Sequence, residues 1–331
     1  MKQVAVIGDG GWGTALALVL AKNGQRVRLW GPFPDYLDEI RRTGENTKFL
    51  PGVKLPAELE WVSDRAAAVA GADVVVLAVP SKYFRATLAP FGALLPREAL
   101  VVSVTKGLDR ETGRRMTQVA RELLRHAPIA ALSGPSHAEE VARGIPAAVT
   151  IACTDHKRAV ELQAIFSNAA FRVYTSADVA GVELGGALKN VIAIAAGACD
   201  GIGFGDNSKA ALMTRGLAEM TRLGAALGAH VATFAGLSGL GDLIVTCTSR
   251  HSRNRMVGER LGRGETIQQI LGSMAQVAEG VWTCSTALDV ARQHGLRAPI
   301  TEEVCAVIND GKNPRAAVQS LLTRELRMEQ D

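Results

Sequence analysis

The chain has 331 residues, 47% of them hydrophobic and 21% charged, with 37 Lys plus Arg against 33 Asp plus Glu and a formal net charge of +4 at pH 7. That length exceeds what most single cores organise and predicts two domains, and the composition excludes bulk disorder. The basic residues are scattered rather than gathered into a tract, which points to a small anionic ligand and away from nucleic acid.

Residues 3–7 form a short β-branched run, GDGGWG turns at 8–13, and 14–22 is rich in Ala and Leu before Asn23-Gly24 stops it. This predicts a strand, a glycine turn and a helix ending at glycine. Asp9 and the glycines Gly8, Gly10, Gly11 and Gly13 break the apolar start where a signal peptide needs an unbroken stretch, so the start reads as mature, folded protein. A second strand is expected at 26–30, with further β-type runs at 73–79, 100–104, 129–132, 147–151 and 171–174. Strands alternating with helices predict a parallel sheet wrapped on both faces. After Ser176, Ala and Leu recur at helical spacing and β-branched clusters become rare. The fold class is therefore α/β, with a Rossmann-type dinucleotide-binding domain over 1–178 and an all-α domain over 179–331. No apolar run reaches the roughly 18 residues of a membrane helix. Cys153, Cys199, Cys247, Cys284 and Cys305 lie far apart without a CxxC pair, and the histidines lack ligand spacing, so neither disulfides nor a metal are expected.

Gly8, Gly10 and Gly13 fit GxGxxG, after a strand and at the opening of a helix, with Gly11 and Trp12 between them. In that context the first glycine permits a tight turn, the second lets the backbone approach a pyrophosphate, and the third allows helix–strand packing. An acid at the end of the second strand would select NAD and an arginine NADP, but Trp30-Gly31-Pro32-Phe33-Pro34 offers neither. Asp35 comes late, and Arg28, Arg41 and Arg42 are only neighbours in sequence, so the preference stays open. Lys106, in SVTKG, and Ser136, in SGPS with Gly134, follow buried strands at the edge where doubly wound sheets bind ligands. Either could also be an ordinary loop residue, and His137 reads as a surface or satisfied histidine.

Lys189 lies inside the apolar run GVELGGALKNVIAIAAGA. A helical side chain leans toward the preceding turn, so the expectation is an ammonium aimed into a hollow left by Gly185 and Gly186, with snorkelling to water as the alternative. Downstream, Asp242 follows a glycine-rich turn, and Arg250, Arg253, Arg255 and Arg260 form a basic cluster suited to phosphate or, in the plainer reading, a solvated loop.

Eight ordered blocks give the chain a resemblance to bacterial NAD(P)-dependent glycerol-3-phosphate dehydrogenases over nearly its whole length: GDGGWGTALA (8–17), NTKFLPG (46–52), VTKGL (104–108), SGPSHAEEV (133–141), GALKNVIAIAAG (186–197), GLSGLGDLIVTCTS (236–249), SRNR (252–255) and PITEEV (299–304). The resemblance implies that Lys189 is the catalytic acid/base, that Lys106 contacts cofactor and substrate, and that Asn190 and Asp242 complete the polar surroundings. It implies substrate contacts from Gly134, Ser136, Ser252, Arg253 and Asn254, and a cofactor side lined by Ala138, Arg253, Val277 and Glu279. Gly11 stands where relatives often carry Ser. NAD or NADP as cofactor, dihydroxyacetone phosphate or glycerol 3-phosphate as substrate, a role in phospholipid supply and a homodimer follow from the same resemblance. The alternative is a β-hydroxyacid dehydrogenase of related two-domain architecture, but that group spaces its Asn four residues after the Lys, whereas Asn190 is adjacent and residue 193 is Ala.

Overall fold

The computed structural model describes residues 1–125, 128–274, 276–326, 328 and 329. Its strands are β1 (Gln3–Ile7), β2 (Arg26–Trp30), β3 (Glu60–Val62), β4 (Val74–Leu77), β5 (Leu100–Ser103), β6 (Ile129–Ser133), β7 (Ala147–Ala152) and β8 (Phe171–Ser176). They form one sheet in the order β3-β2-β1-β4-β5-β6-β7-β8. All expected strands occur. β3 was not expected, because three residues are too few to display a period.

The expectation of a wholly parallel sheet needs correction. β6 and β7 pair antiparallel, with Leu132 opposite Ile151, and β8 then runs parallel to β7. Between β6 and β7 the chain forms only the short helix Ala138–Ala142, which cannot carry it back along the sheet face for a parallel return.

Alternation in β1 sends Val4 and Val6 into one apolar core with Leu16 and Leu20, and Ala5 and Ile7 into another with Phe84 and Phe91. The order also reverses at β1: the chain moves outward to β2 and β3, then returns to β4 on the other side. Crossovers that diverge in this way leave a crevice at the carboxyl ends of β1 and β4. Gly8 ends β1 there with φ +123°, and a Cβ on it would lie 2.6 Å from the Ala78 carbonyl oxygen.

From Val179 the described chain is helical, built around the central helix Val179–Ile202. Asp178 caps its start by accepting from the Gly181 N–H at 2.8 Å. This helix corrects the expectation that no apolar stretch reaches membrane-spanning length. It has 24 residues, and its most apolar 18-residue window has a mean hydropathy of 1.5, but 83% of that window is buried inside the protein, as a core helix would be. A second stretch that passes the same test of length and composition, Val231–Thr248, is divided into helices Val231–Phe234 and Asp242–Thr248 with a π-turn at Leu237–Gly241.

The central helix meets the helix Arg253–Gly262 backbone to backbone. A Cβ on Gly197 would lie 1.9 Å from the Arg255 oxygen, and on Gly201 2.1 Å from the Glu259 oxygen. Reciprocally, a Cβ on Gly258 would lie 1.8 Å from the Ile194 oxygen, and on Gly262 2.5 Å from the Ala198 oxygen. Four glycines therefore set the separation of these helices, and with it the position of the residues at their ends.

Gly258→Ala should accordingly lower the unfolding free energy by about 1–3 kcal/mol, because the methyl group meets backbone that must move. Gly272→Ala, where nothing lies within 4 Å of a Cβ, should stay within about 0.5 kcal/mol. Urea unfolding of both variants checks the contrast; equal stabilities would show that the contact yields freely.

Candidate active site

A cleft opens where the carboxyl ends of β1, β4 and β5 face the helical half. Its walls include Gly10, Gly11, Trp12, Lys106, Ser136, Ala138, Lys189, Asn190, Asp242, Ser252, Arg253, Asn254, Val277 and Glu279. Gly8, Gly13 and Gly134 lie behind these walls and shape them. A Cβ on Gly13 would lie 2.1 Å from the Gly8 oxygen, so this glycine lets helix Gly11–Lys22 press on β1. By contrast, nothing lies within 4 Å of a Cβ built on Gly10. The helix beginning beside it has no side-chain cap and no acidic residue in its first turn, so its N–H groups face the cleft's charge unopposed.

Asp242 organises the opposite wall. Its Oδ1 accepts from Lys189 Nζ at 2.9 Å and its Oδ2 from Lys106 Nζ at 2.7 Å. Lys106 Nζ also donates to the Gly134 carbonyl at 2.9 Å, and Ser136 Oγ donates to that same oxygen at 2.9 Å. Thr246, one helical turn after Asp242, accepts from Lys189 Nζ at 2.5 Å while donating to the Asp242 carbonyl at 2.6 Å. Lys189 thus spends two of its three donors on protein, leaving one for a ligand.

Asp242 and Lys189 are buried, at 1% and 5% exposure, and burial acts on both in the direction of neutrality. For Asp242 the two ammonium groups outweigh burial and hold the carboxyl below its usual pKa. For Lys189 burial prevails over the attraction of Asp242, and with repulsion from Lys106 the ammonium falls to about 8. A lysine at about 8 is a donor that can be both loaded and emptied near neutral pH.

A buried relay of amides locks these elements together. Asn190 Nδ2 donates to the Lys106 and Gly186 carbonyls at 3.3 Å each, Asn254 Nδ2 donates to Asn190 Oδ1 at 2.9 Å, and the Gly280 N–H donates to Asn254 Oδ1 at 2.9 Å. The sheet edge and three helices are joined in one chain of hydrogen bonds. Ser252, beside it, caps helix Arg253–Gly262 by accepting from the Arg255 N–H at 3.2 Å.

Three sequence expectations change. Gly185 and Gly186 leave no hollow: a Cβ would lie 2.5 Å from the Ser238 oxygen at Gly185 and 2.3 Å from Ser133 Oγ at Gly186. They let the central helix press on the π-turn and on β6, and the lysine is held by Asp242 and Thr246 rather than aimed into open space. The arginines also separate. Arg255 pairs with Asp200 at 2.7 Å and Arg260 with Glu265, while Arg250 does not line the cleft. Among the four only Arg253 faces the cleft, and no carboxylate among the described residues hydrogen-bonds it. Solvent reaches its side chain, yet surrounding protein mass pushes its pKa below the ordinary value, with Glu279 and Glu139 opposing. An arginine remains charged under either influence.

His137 is the third. It is half-buried in the cleft wall, its Nε2 has no hydrogen-bond partner among the described residues, and its ring lies 5.9 Å from that of His251. Burial, then Lys189 and Lys106, hold its pKa below the ordinary value. A lone histidine carries no periodic signal. Thr246 could have been found, since four residues after Asp242 it shares the same helical face.

Glu279 stands apart from the lysines. Its carboxylate accepts from the Ser81 N–H at 2.9 Å and from Ser81 Oγ, which ties the start of helix Glu279–Gln293 to the loop after β4. Val277 lines the same side.

A family model described as the N-terminus of NAD-dependent glycerol-3-phosphate dehydrogenase matches residues 3–159, and one described as its C-terminus matches 178–319. A Moorella thermoacetica protein named glycerol-3-phosphate dehydrogenase (NAD(P)+) is 50% identical over 325 residues, 98% of this chain and 96% of its own length. One of the same name from Geobacillus kaustophilus is 49% identical, covering 100% of this chain and 97% of that protein. The crystal structure of glycerol-3-phosphate dehydrogenase from Coxiella burnetii superimposes with a TM-score of 0.94 at 38% identity, over 98% of this chain and 99% of that one.

The charge arrangement predicts how Lys189 titrates. Lys106→Met removes a repelling charge and should raise its pKa from about 8, whereas Asp242→Asn removes the main attraction and should lower it. Heteronuclear NMR of the lysine side chains against pH measures both; a titration that ignores the two substitutions would dissolve the proposed coupling.

Proposed function

The chain belongs to the NAD-dependent glycerol-3-phosphate dehydrogenase family, and from that premise we propose that it interconverts dihydroxyacetone phosphate and sn-glycerol 3-phosphate with Lys189 as proton donor and acceptor. The observation that carries this assignment is the bridge of Asp242 between Lys189 and Lys106 in a cleft that also holds Arg253. NAD or NADP supplies or takes the hydride at C2 when bound. The residues fit such a group: the open side-chain space at Gly10 and the uncapped helix start suit a pyrophosphate, and Trp12, Ala138, Val277 and Glu279 line the space beside them.

In the reducing direction negative charge grows on the C2 oxygen. The remaining Lys189 donor meets that oxygen, stabilises it and delivers its proton; in the oxidising direction the neutral amine removes the hydroxyl proton. Lys106, fixed between Asp242 and the Gly134 carbonyl, holds the substrate against Lys189. Ser252 and Arg253 take the phosphate end, Gly134 and Ser136 help hold the substrate beside Lys106, and Asn190 and Asn254 hold the walls in register. Phosphate binding, remote from C2, positions the reacting carbon. We also assign the dinucleotide role to 1–178 and the substrate role to 179–331, a cytoplasmic location, a homodimer and a role in supplying the phospholipid backbone. These last assignments rest on the family resemblance.

Lys189→Ala should reduce turnover of dihydroxyacetone phosphate, followed as NADH or NADPH oxidation, by at least ~10²-fold while fluorescence titration still detects nucleotide binding. Turnover surviving that change would remove Lys189 from the chemistry. Arg253→Ala should raise KM for dihydroxyacetone phosphate by roughly tenfold to a hundredfold, as loss of a charged hydrogen bond does; unchanged kinetics would take Arg253 out of the phosphate site.

A further inference from the structure

Asp9, between the first two glycines of the GxGxxG turn, is 8% exposed, and its Oδ2 has no hydrogen-bond partner among the described residues. The Asp9 backbone N–H bonds the carboxylate, but leaving one of its oxygens buried and unpaired is unfavourable enough to require a reason. Its backbone is fixed independently of that carboxylate, because the Asp9 carbonyl accepts from Asn46 Nδ2 at 2.8 Å. Asn46 is itself held: its Oδ1 accepts from Tyr36 Oη at 2.7 Å, and its Nδ2 also donates to Thr14 Oγ1 at 2.8 Å. The backbone that presents the carboxylate is therefore built and rigid.

The carboxylate is directed at the end of β2. A Cβ built on Gly31, the residue after β2, would lie 2.5 Å from Asp9 Oδ2 and 2.8 Å from Asp9 Cγ. Asp9 thus occupies the side-chain space of Gly31. In dinucleotide-binding sheets the end of β2, about 20 residues beyond the glycine turn, is where an acid bonds the adenosine ribose 2′-hydroxyl. Here the β2 end has no acid of its own; of the arginines nearby, Arg28 pairs with Glu60 at 2.9 Å, Arg41 bonds Asp38 and the Trp61 carbonyl, and Arg65 lies over the ring of Trp30 at 5.8 Å. In this chain the acid stands in the glycine turn and a glycine stands after β2.

Resting on the dinucleotide reading above, we propose that Asp9 is the specificity-determining residue of the cofactor site, accepting a hydrogen bond from the adenosine ribose 2′-hydroxyl and excluding a 2′-phosphate, so that the enzyme prefers NAD(H). Oδ2 is closed to solvent, so the hydroxyl meets the other oxygen of the carboxylate, whereas a phosphate brings like charge to a group already held in a poorly solvated place. Burial pushes the Asp9 carboxyl above its usual pKa, opposed by a hydrogen bond from its own backbone N–H and by Lys48. This is the behaviour of an acid whose partner arrives with the ligand.

Calorimetric titration of the full chain with ADP-ribose and with its 2′-phosphorylated form tests the assignment without reference to turnover. The parent should bind ADP-ribose at least about tenfold more tightly, and Asp9→Asn should narrow that ratio by about tenfold, mainly through a gain for the phosphorylated ligand. In the double substitution Asp9→Ala with Gly31→Asp, which returns the acid to β2, the preference should reappear. Equal binding of both ligands by the parent, or a ratio unchanged in Asp9→Asn while thermal melting shows it folded, would overturn the proposal. A purely structural Asp9 would shift melting and weaken both ligands alike. If the parent bound neither ligand, the dinucleotide reading itself would fail, and this inference with it.

Discussion

The active half of the molecule depends on one buried carboxylate held between two ammonium groups. Removing Asp242 would take from Lys189 its main attraction in a nearly dry environment and drive the ammonium toward the neutral amine. Its two oxygens are also divided between the two halves of the chain. Oδ2 reaches Lys106, in the loop after β5, and Oδ1 reaches Lys189, on the central helix. The same interaction therefore sets the protonation of the reactive lysine and joins the sheet to the helices. Thr246 adds direction: by giving its proton to the Asp242 carbonyl it presents only a lone pair to Lys189.

Such an arrangement needs backbones closer than side chains normally permit, which is why glycines accumulate around it. Gly185 and Gly186 bring the central helix against the π-turn before Asp242 and against β6. Gly197, Gly201, Gly258 and Gly262 do the same for the helix that carries Arg253 and Asn254. The amide relay from Lys106 through Asn190 and Asn254 to Gly280 then fixes the register of those elements with directional bonds. Close packing supplies proximity and the relay supplies alignment; neither alone would hold a ligand's two ends in place.

Much of this was legible in the sequence, and the gaps have physical causes. The long β-branched runs and the glycine turn were readable because burial on both faces and a tight turn each restrict residue type. The direction of β7 was not, because an alternating strand reads the same either way. Proximity in sequence misled at the arginines: a helix turns about 100° per residue, so Arg253 and Arg255 project differently and only the first faces the cleft. The glycines before Lys189 leave no opening, which the sequence cannot show because the groups that fill their space, Ser133 and Ser238, lie far away along the chain. Asp9 reads in the sequence only as an interruption of an apolar run, because its significance depends on Gly31, with which it has no sequence relationship.

Charge placement explains how one cleft distinguishes the two ends of a small phosphorylated ketone. Lys106, Lys189 and Arg253 share the cleft with Asp242, Glu279 and Glu139, so cations and carboxylates are equal in number and their placement decides. The carboxylates are not free to cancel them evenly. Asp242 is spent on the two lysines, and Glu279 is engaged by Ser81. Arg253 alone among the cleft's cations has no carboxylate bonded to it among the described residues, and its planar donors match a phosphate. A phosphate placed instead beside the lysines would compete with Asp242 for donors already committed and would meet its negative charge directly. In the proposed reaction the phosphate therefore faces Arg253 and the carbonyl faces the single uncommitted donor of Lys189.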